Sequence, residues 1–581
     1  MKRAFLVLLL PVALPAARTP LSAQAPPPLS ARDSSRALHH AREEQARFER
    51  ARRSHLPEVS GGDSGTCDEH VGRFCLTYTD EDDDWRPPPE PAPVADARER
   101  LLGVLDSTAA LIPGDDWVAG QRVRYLVEAH RFPDAVAAAR DCRGTPWWCA
   151  ALDGFALHHA GDAARADSAF SRMLGTMPAD ERHEWTDLSD ILEGKALGRY
   201  RRLRGAARDD FAARFWRLAD PFFSRPGNEV RSEHFSRNVL DQLQDRAKRP
   251  EVISWGGDLR ELLLRYGWPI GWERLRQSPY ATAEAPSLLT HYGDTEQYLL
   301  PPDEALADSG ITHGAWDQDP LRARTGYDIP AGDSTLRWIY PLPHQLAVFR
   351  RGDSALVVAA YSLPADSFPA GARVDAGLAL LADDDSAPLV SRSPGAALEG
   401  ALTAEVPSEP LLLSLEIVSD SARRAARDRE GLRIAPHRAG ALAVSDLLLL
   451  RPGEPLPDSL AAAVADARGS AVVHPGESVG VYWEVYGLGE AGVRELTLSL
   501  RLGATGKGIL RRIAERVGLA RGGEPVRVKW KEPAAPGSYL PRALLIQVPG
   551  EMAPGDYRLE LTVEPAGHAE LTTARDVRVA E

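Results

Sequence analysis

The chain has few cysteines, no excess of positive charge and no second long apolar run. Its 581 residues include four cysteines and carry a formal net charge of -14 at pH 7. Because duplex binding depends on neutralising phosphates with Lys and Arg, this charge argues against a nucleic-acid partner. The lack of a later apolar run of membrane length predicts a mature chain without a transmembrane segment. No complete catalytic or metal-ligand motif is present, so the sequence predicts no cofactor, no metal and no catalytic residue.

The first 23 residues have the pattern of a secretory signal peptide. Lys2 and Arg3 precede an apolar stretch from Ala4 to Ala17, and a Leu-x-Ala site ends at Ala23. The stretch is too short to remain as a membrane span. We therefore expect cleavage near Ala23 and an exported protein, either periplasmic or secreted.

The four cysteines form two close pairs, Cys67 with Cys75 and Cys142 with Cys149. In an oxidising compartment, such spacing favours two local disulfides. A zinc site using Cys67, His70 and Cys75 is the alternative, but it lacks the paired spacing of structural zinc sites. We predict two local bridges.

Residues 24–92 are polar and rich in proline, and they include an acidic run, DEDDDW. That run lacks the alternating ligands and the glycine of a calcium loop. We interpret the segment as a polar linker that carries one helical piece and the Cys67–Cys75 loop.

Residues 93–205 have a helical period and an internal repeat. Two units can be aligned so that equivalent positions carry the same residue: Trp117 with Trp148, Leu126 with Leu157, Ala129 with Ala160, Ala135 with Ala166, and Ala138 with Ala169. Small residues at matching positions suit helices that approach closely. The region resembles tetratricopeptide repeats, whose unit is two helices in roughly 34 residues. That resemblance implies a concave binding surface.

Residues 206–300 carry a second resemblance. The run FAARFWRLADPFFSRPGNEVRSEHFSRN, followed by SWGGDLRELLLRYGWP, is similar to the GWxTD domain of exported bacterial proteins. The matching residues are Phe215, Trp216, Asp220, Pro221, Asn228, Glu229, Trp255, Asp258, Tyr266, Gly267 and Pro269. The signature itself departs from the family pattern, because Ser254 replaces its glycine and Gly257 its threonine. We know of no established activity that the resemblance would imply.

The same residues have a structural interpretation. Asp220-Pro221 would end one helix and Asn228 would cap the next. The stretch EVISWGGDLRELLLRYGWPIGW, residues 251–272, contains three tryptophans around an apolar run that could be a strand or a helix. We predict that Trp255 is an aromatic plug under a glycine turn and that Asp258 bonds the amides of that turn.

Strand patterns dominate beyond a predicted linker at 301–335. Two apolar runs flank Arg351-Gly352-Asp353-Ser354, which indicates a hairpin, and strands continue to about residue 452. We assign 336–452 to one β-sandwich, 453–470 to a linker and 470–581 to an immunoglobulin-like sandwich. The expected architecture is a multidomain α + β protein.

Two functions are compatible with this organisation. The first is a non-catalytic cell-envelope protein that binds a protein or peptide partner, on a concave repeat face with Arg122, Arg124, Glu128 and His159. The alternative is a hydrolase, which would need a carboxylate or histidine in a shielded cleft. Its candidate residues are Asp220, Glu229, His234 and Asp258.

Overall fold

The computed structural model is a mixed α and β protein with several sheets. It describes residues 30–60, 67, 69–76, 86–192, 194–251, 253–276, 288–292, 301, 306, 338–363, 368, 371–383, 386–421, 424–434, 438, 440–504, 526–534, 537 and 539–580. The predicted signal peptide and most of the predicted linker 301–335 lie outside these residues. No described helix is long and apolar enough to cross a membrane.

The N-terminal half is mainly helical. Its helices are α1 Ala31–Ser54, α2 Ala92–Leu111, α3 Asp116–Glu128, α4 Phe132–Arg140, α5 Pro146–His159, α6 Ala163–Thr176, α7 Ala179–Thr186, α8 Gly194–Tyr200, α9 Ala206–Ala219, α10 Glu229–Asp245 and α11 Gly257–Tyr266. Side chains of Asp115, Asp162 and Asn228 cap α3, α6 and α10 by accepting an amide hydrogen bond. The predicted cap at Asn228 is confirmed.

The repeat units are two helix pairs, α3 with α4 and α5 with α6. Ala129 and Ala160, which the repeat alignment equates, are the C-cap residues of α3 and α5. Ala135 and Ala166 are both 0% exposed, so small residues lie where the helices meet. The tetratricopeptide-like assignment of these pairs remains a prediction.

Residues 24–92 are not a linker in their described part. Ala41 and Phe48 of α1 belong to the same apolar core as α2 to α6. Strand β1, Glu58–Ser60, pairs in parallel with β4, Gly271–Arg276, which also pairs with β5, Leu288–His291. Strands β2, Glu69–Val71, and β3, Phe74–Leu76, form a hairpin that packs on α11.

The boundary predicted at residue 206 does not separate two cores. Phe235 and Val239 of α10 pack into the core of the repeat helices. Phe215 of α9 packs instead with Ala379 and Leu412 of the β region. The predicted module at 206–300 therefore joins its two neighbours.

The β region begins with two sheets that form a sandwich. Its strands are β6 Trp338–Pro341, β7 His344–Arg351, β8 Ser354–Ser362, β9 Val374–Leu381, β10 Leu389–Ala396, β11 Glu399–Pro407, β12 Leu411–Ser419 and β13 Arg424–Leu432. One sheet has the order β10-β9-β12-β13-β6 and the other the order β11-β8-β7. Both sheets contribute to one core. The predicted hairpin at Arg351–Ser354 is confirmed, because β7 and β8 pair with Arg351 opposite Ser354.

The remaining strands form a second sandwich. They are β14 Ala443–Val444, β15 Leu448–Leu450, β16 Val472–Val473, β17 Ser478–Tyr486, β18 Glu495–Ala504, β19 Val526–Pro533, β20 Tyr539–Gln547, β21 Gly555–Pro565 and β22 Leu571–Val579. Strand β17 pairs with β14, β15 and β20, and it faces a sheet of order β16-β22-β21-β18-β19. Alternate residues of β17, β18 and β21 form the core between these sheets. The immunoglobulin-like assignment is not tested by this arrangement.

Two boundaries in this region were predicted wrongly. Strands β14 and β15 pair with β17 of the second sandwich, although the sequence placed them in the first. The expected linker at 453–470 contains helix α12, Leu460–Ala465, whose Leu460 and Ala463 pack on Phe349 and Tyr482. The helical region therefore packs against the first sandwich, and the first sandwich packs against the second.

Candidate functional site

A cleft of about 970 Å³ lies between α6, α7, α8, α9 and α10. We call it the arginine cleft after the five arginines that line it, Arg182, Arg208, Arg217, Arg225 and Arg231. Trp216 and Phe235 supply aromatic surface, and Phe223 and Pro388 close the end nearest the first sandwich. The cleft thus combines cationic and aromatic groups.

The charge of the arginine cleft is opposite to that of the whole chain. Against its five arginines it has three acidic residues, Asp167, Asp209 and Asp220. Burial raises the pKa of Asp220 well above its usual value, which favours the uncharged acid. The lining of the cleft therefore has more arginines than acidic residues, and three of these arginines pair with carboxylates.

Neighbouring groups hold the arginines in place. Arg231 donates to Asp167 Oδ1 at 2.6 Å, and Arg182 donates to the backbone oxygen of Met177 at 2.8 Å. Arg208 donates to Asp187 at 2.9 Å and lies over the ring of Tyr200. A guanidinium carries five N–H donors, so these contacts orient Arg182 and Arg231 and leave donors for a ligand.

The loop after α9 forms one wall of the cleft and is fixed by the first sandwich. Phe222 donates its amide to Asp220 Oδ1 at 3.0 Å. Arg225 makes two hydrogen bonds to the carboxylate of Asp420, at 2.9 and 2.7 Å. The wall is therefore preorganised.

The four hydrolase candidates do not share one cavity. Asp220 and Glu229 line a second cavity of about 400 Å³, but His234 and Asp258 line neither this one nor the arginine cleft. His234 is 1% exposed behind Trp216, and burial lowers its pKa to about 3. The predicted constellation is not assembled.

Asp258 has a structural partner on the disulfide hairpin. Arg73 donates to its two carboxylate oxygens, at 2.5 Å to Oδ2 and 2.9 Å to Oδ1, and the hydrogen bond from Arg73 lowers the pKa of Asp258 to about 2. Asp258 also accepts the amide of Leu259 at 2.9 Å. Leu259 lies in the first turn of α11 and not in the predicted glycine turn, and the principal partner of Asp258 lies on the hairpin.

The family-motif residues fall into two groups. Phe215, Trp216, Asp220, Pro221, Asn228 and Glu229 lie in α9, in the loop after it and at the start of α10. Asn228 joins these elements, because its side chain donates to the backbone oxygen of Trp216 at 2.6 Å and accepts from Arg231. Three residues of this first group, Trp216, Asp220 and Asn228, line the arginine cleft.

The second group, Trp255, Asp258, Tyr266, Gly267 and Pro269, lies in or beside α11. The Leu-rich run is a helix, and Gly267, with φ of 79°, ends it. Tyr266 donates to Glu69 at 2.6 Å. Trp255 is only partly buried, and its Nε1 donates to Asp241 at 2.7 Å.

All four cysteines form the predicted disulfides, Cys67–Cys75 and Cys142–Cys149. The alternative zinc site at Cys67, His70 and Cys75 is therefore not formed. Two disulfides fit an exported protein.

One residue of the predicted partner face on the repeats is fully buried, and the other three are partly exposed. Arg124 is 0% exposed and pairs with Glu128 at 2.8 Å and with Glu49 of α1 at 3.4 Å. The Nε2 atom of His159 is also enclosed. The predicted exposure of Arg124 is wrong, because α1 covers it. Arg122 remains partly exposed and lines a cavity of about 230 Å³ beside Cys142.

Sequence reasoning missed the arginine cleft. Its arginines come from α7, α9, α10 and the loop between α9 and α10, so no single motif contains them. The available signal was the density of Arg and aromatic residues between Arg199 and Arg231.

Comparisons with known proteins give no family. No family model and no curated protein matches the chain. Among solved structures, a protein from Corynebacterium diphtheriae, provisionally described as membrane-anchored, aligns at 9% identity and a TM-score of 0.14. The alignment covers 42% of this chain and 59% of that chain. This likeness supports no conclusion about fold or function.

Proposed function

We propose that the protein is a non-catalytic exported binding protein, and that the arginine cleft holds an acidic segment of a protein or peptide partner in the cell envelope. The observation that carries the proposal is a cleft of about 970 Å³ with five arginines in a chain of net charge -14. Ligand sites commonly have volumes of about 300–1,000 Å³ and a few placed polar groups.

The chemistry of the cleft favours carboxylates. Guanidinium groups bind carboxylates through paired, charge-assisted hydrogen bonds. Trp216 and Phe235 add surface for the apolar parts of a peptide. The guanidinium donors that remain in the cleft also attract an acidic partner electrostatically.

The resemblances agree with a binding role. Three of the GWxTD-like motif residues, Trp216, Asp220 and Asn228, line the cleft, and α3, α5 and α6 of the tetratricopeptide-like pairs pack against α10. The hydrolase alternative receives less support, because His234 and Asp258 lie outside both cavities.

The test uses the intact chain, because α9 shares its core with the first sandwich and residues 93–300 are not an independent unit. Fluorescence anisotropy would measure binding of Asp/Glu-rich, neutral and Lys-rich peptides of equal length. We expect the acidic peptides to bind. Added salt should weaken their binding, because it screens the charges.

Arg182→Gln and Arg231→Gln should each weaken that binding roughly tenfold or more, since a hydrogen bond to a charged group contributes about 1.5–3 kcal/mol. Arg172→Gln is the matched control, because Arg172 pairs with Asp153 on the repeats and does not line the cleft. Equal binding of all three peptides, or unchanged binding by both cleft variants, would contradict the proposal.

A further inference from the structure

Two carboxylates interrupt the inner face of strand β13. Alternate residues of a strand face the same side. Asp428 and Glu430 therefore share a side with Ala426 and Leu432, which lie in the core between the two sheets of the first sandwich. The side chain of Asp428 is only 18% exposed. Acidic groups at such positions require a compensating cation.

A histidine from the opposite sheet meets them. His344 is the first residue of β7, next to the point where the chain passes from β6 in one sheet to the other. Its Nδ1 lies 2.8 Å from the backbone oxygen of Leu342, so Nδ1 carries the proton of the neutral ring. Its Nε2 is then a lone-pair donor, and it lies 3.3 Å from Asp428 Oδ2.

We propose that His344, Asp428 and Glu430 form a binding site for a divalent transition-metal ion. One ligand atom from each residue lies within 4.8 Å of the other two. Two ligands about 2.1 Å from a tetrahedral metal are about 3.4 Å apart, which is close to the 3.3 Å between Nε2 and Oδ2. The hydrogen bond from Nδ1 to a backbone carbonyl is the usual orienting contact of a metal-binding histidine.

The donor set indicates the kind of metal. Imidazole suits zinc and related ions, carboxylates also suit manganese, and no thiolate is present to favour copper(I). Three protein ligands leave a coordination position for water. All three residues are partly exposed, so an ion can reach them. A bound ion would connect β7 to β13 and thereby join the two sheets.

The surrounding charge permits a cation. Arg575 of the second sandwich interacts electrostatically with Glu430 and donates to the backbone oxygens of Leu346 and Leu447. The two carboxylates and this guanidinium together carry a formal charge of -1. A plain ion pair between protonated His344 and Asp428 is the competing interpretation, and the experiment separates the two.

The experiment uses the intact, tag-free protein after removal of metals with a chelator. Isothermal titration with Zn²⁺ and with Mn²⁺ should show one site per chain for at least one of them, and that ion should raise the melting temperature. His344→Gln and Glu430→Gln should each weaken the site roughly tenfold or more. Circular dichroism would verify that both variants are folded.

His291→Gln is the matched control, because His291 forms a pair with Glu273 at 3.0 Å outside the three-residue set. It should leave binding and stoichiometry unchanged. The proposal is overturned if the wild-type chain binds neither ion at one equivalent, or if His344→Gln and Glu430→Gln bind like wild type. A melting temperature that depends on His344 but not on added metal would identify the ion pair instead.

Discussion

The guanidinium of Arg429 lies over the ring of Phe223, 3.7 Å from the ring centroid. Arg429 belongs to β13, and Phe223 belongs to the loop after α9. The same guanidinium donates to the backbone oxygens of Leu218 at 3.0 Å and Asp220 at 2.9 Å. Helical and β regions are therefore joined through a buried charged group, and that junction fixes one wall of the arginine cleft.

Glu416 provides the first prediction. It is 0% exposed and accepts the amides of Phe223 and Ser224, both at 2.8 Å. Glu416→Gln replaces one acceptor oxygen with a donor and removes the charge that faces Arg429. Breaking a buried pair in this way should lower the free energy of unfolding by about 3–5 kcal/mol, measured by urea denaturation. Glu409→Gln, at an exposed site, should change it by about 0.5 kcal/mol or less.

The second prediction concerns pH and His234. Burial lowers its folded-state pKa to about 3, from an ordinary value of 6.5. Between these values the unfolded chain binds a proton that the folded chain does not, so stability falls as the pH drops below 6.5. His234→Gln should reduce this loss by about 1.4 kcal/mol per pH unit, measured by urea denaturation between about pH 7 and 4. His39→Gln, on the exposed face of α1, should leave the slope unchanged.

The third prediction concerns the disulfide Cys142–Cys149, whose cysteines are 7 residues apart. Non-reducing peptide mapping should recover this pair and the Cys67–Cys75 pair. The double variant Cys142→Ser, Cys149→Ser should lose about 2–3 kcal/mol of stability, because closing a short loop restricts the unfolded chain. Cross-paired peptides or free thiols would contradict the predicted connectivity.

Local signals in the sequence predicted much of the secondary structure. Val479, Val481, Trp483 and Val485 alternate along β17 and are all buried, because alternation directly reports which side of a strand faces the core. The stop at Asp220-Pro221 was also predictable, since proline disfavours continuation of a helix. Such features depend on neighbouring residues only.

The packing of α1 could not be read from the sequence. Its buried residues include Glu44, Gln45, Glu49 and Arg52, which look like a solvated face. Glu49 pairs with Arg124 and Arg52 pairs with Glu128, both of α3, and Gln45 donates to the hydroxyl of Tyr125 at 2.8 Å. Charged side chains are expected to be exposed to solvent, and their burial can be predicted only when the partner of opposite charge elsewhere in the chain is known.

The candidate sites were missed for a related reason. The arginine cleft collects residues from several helices, and the packing of two sheets against each other brings His344 to Asp428. Neither spacing along the chain nor residue type signals that proximity.

The last prediction returns to Trp255, which the sequence presented as a core plug. The residue is partly buried, its Nε1 donates to Asp241 at 2.7 Å, and the guanidinium of Arg249 lies 5.0 Å from its ring centroid. Trp255→Ala should therefore destabilise the protein by about 1–3 kcal/mol, less than truncation of a fully buried tryptophan. Trp255→Phe keeps most of the packing and loses the hydrogen bond, so it should cost about 1 kcal/mol.

Binding of acidic peptides should be unchanged in both variants, because Trp255 does not line the arginine cleft. A Trp255→Ala protein that melts like wild type but no longer binds these peptides would place the ligand site at α11 instead.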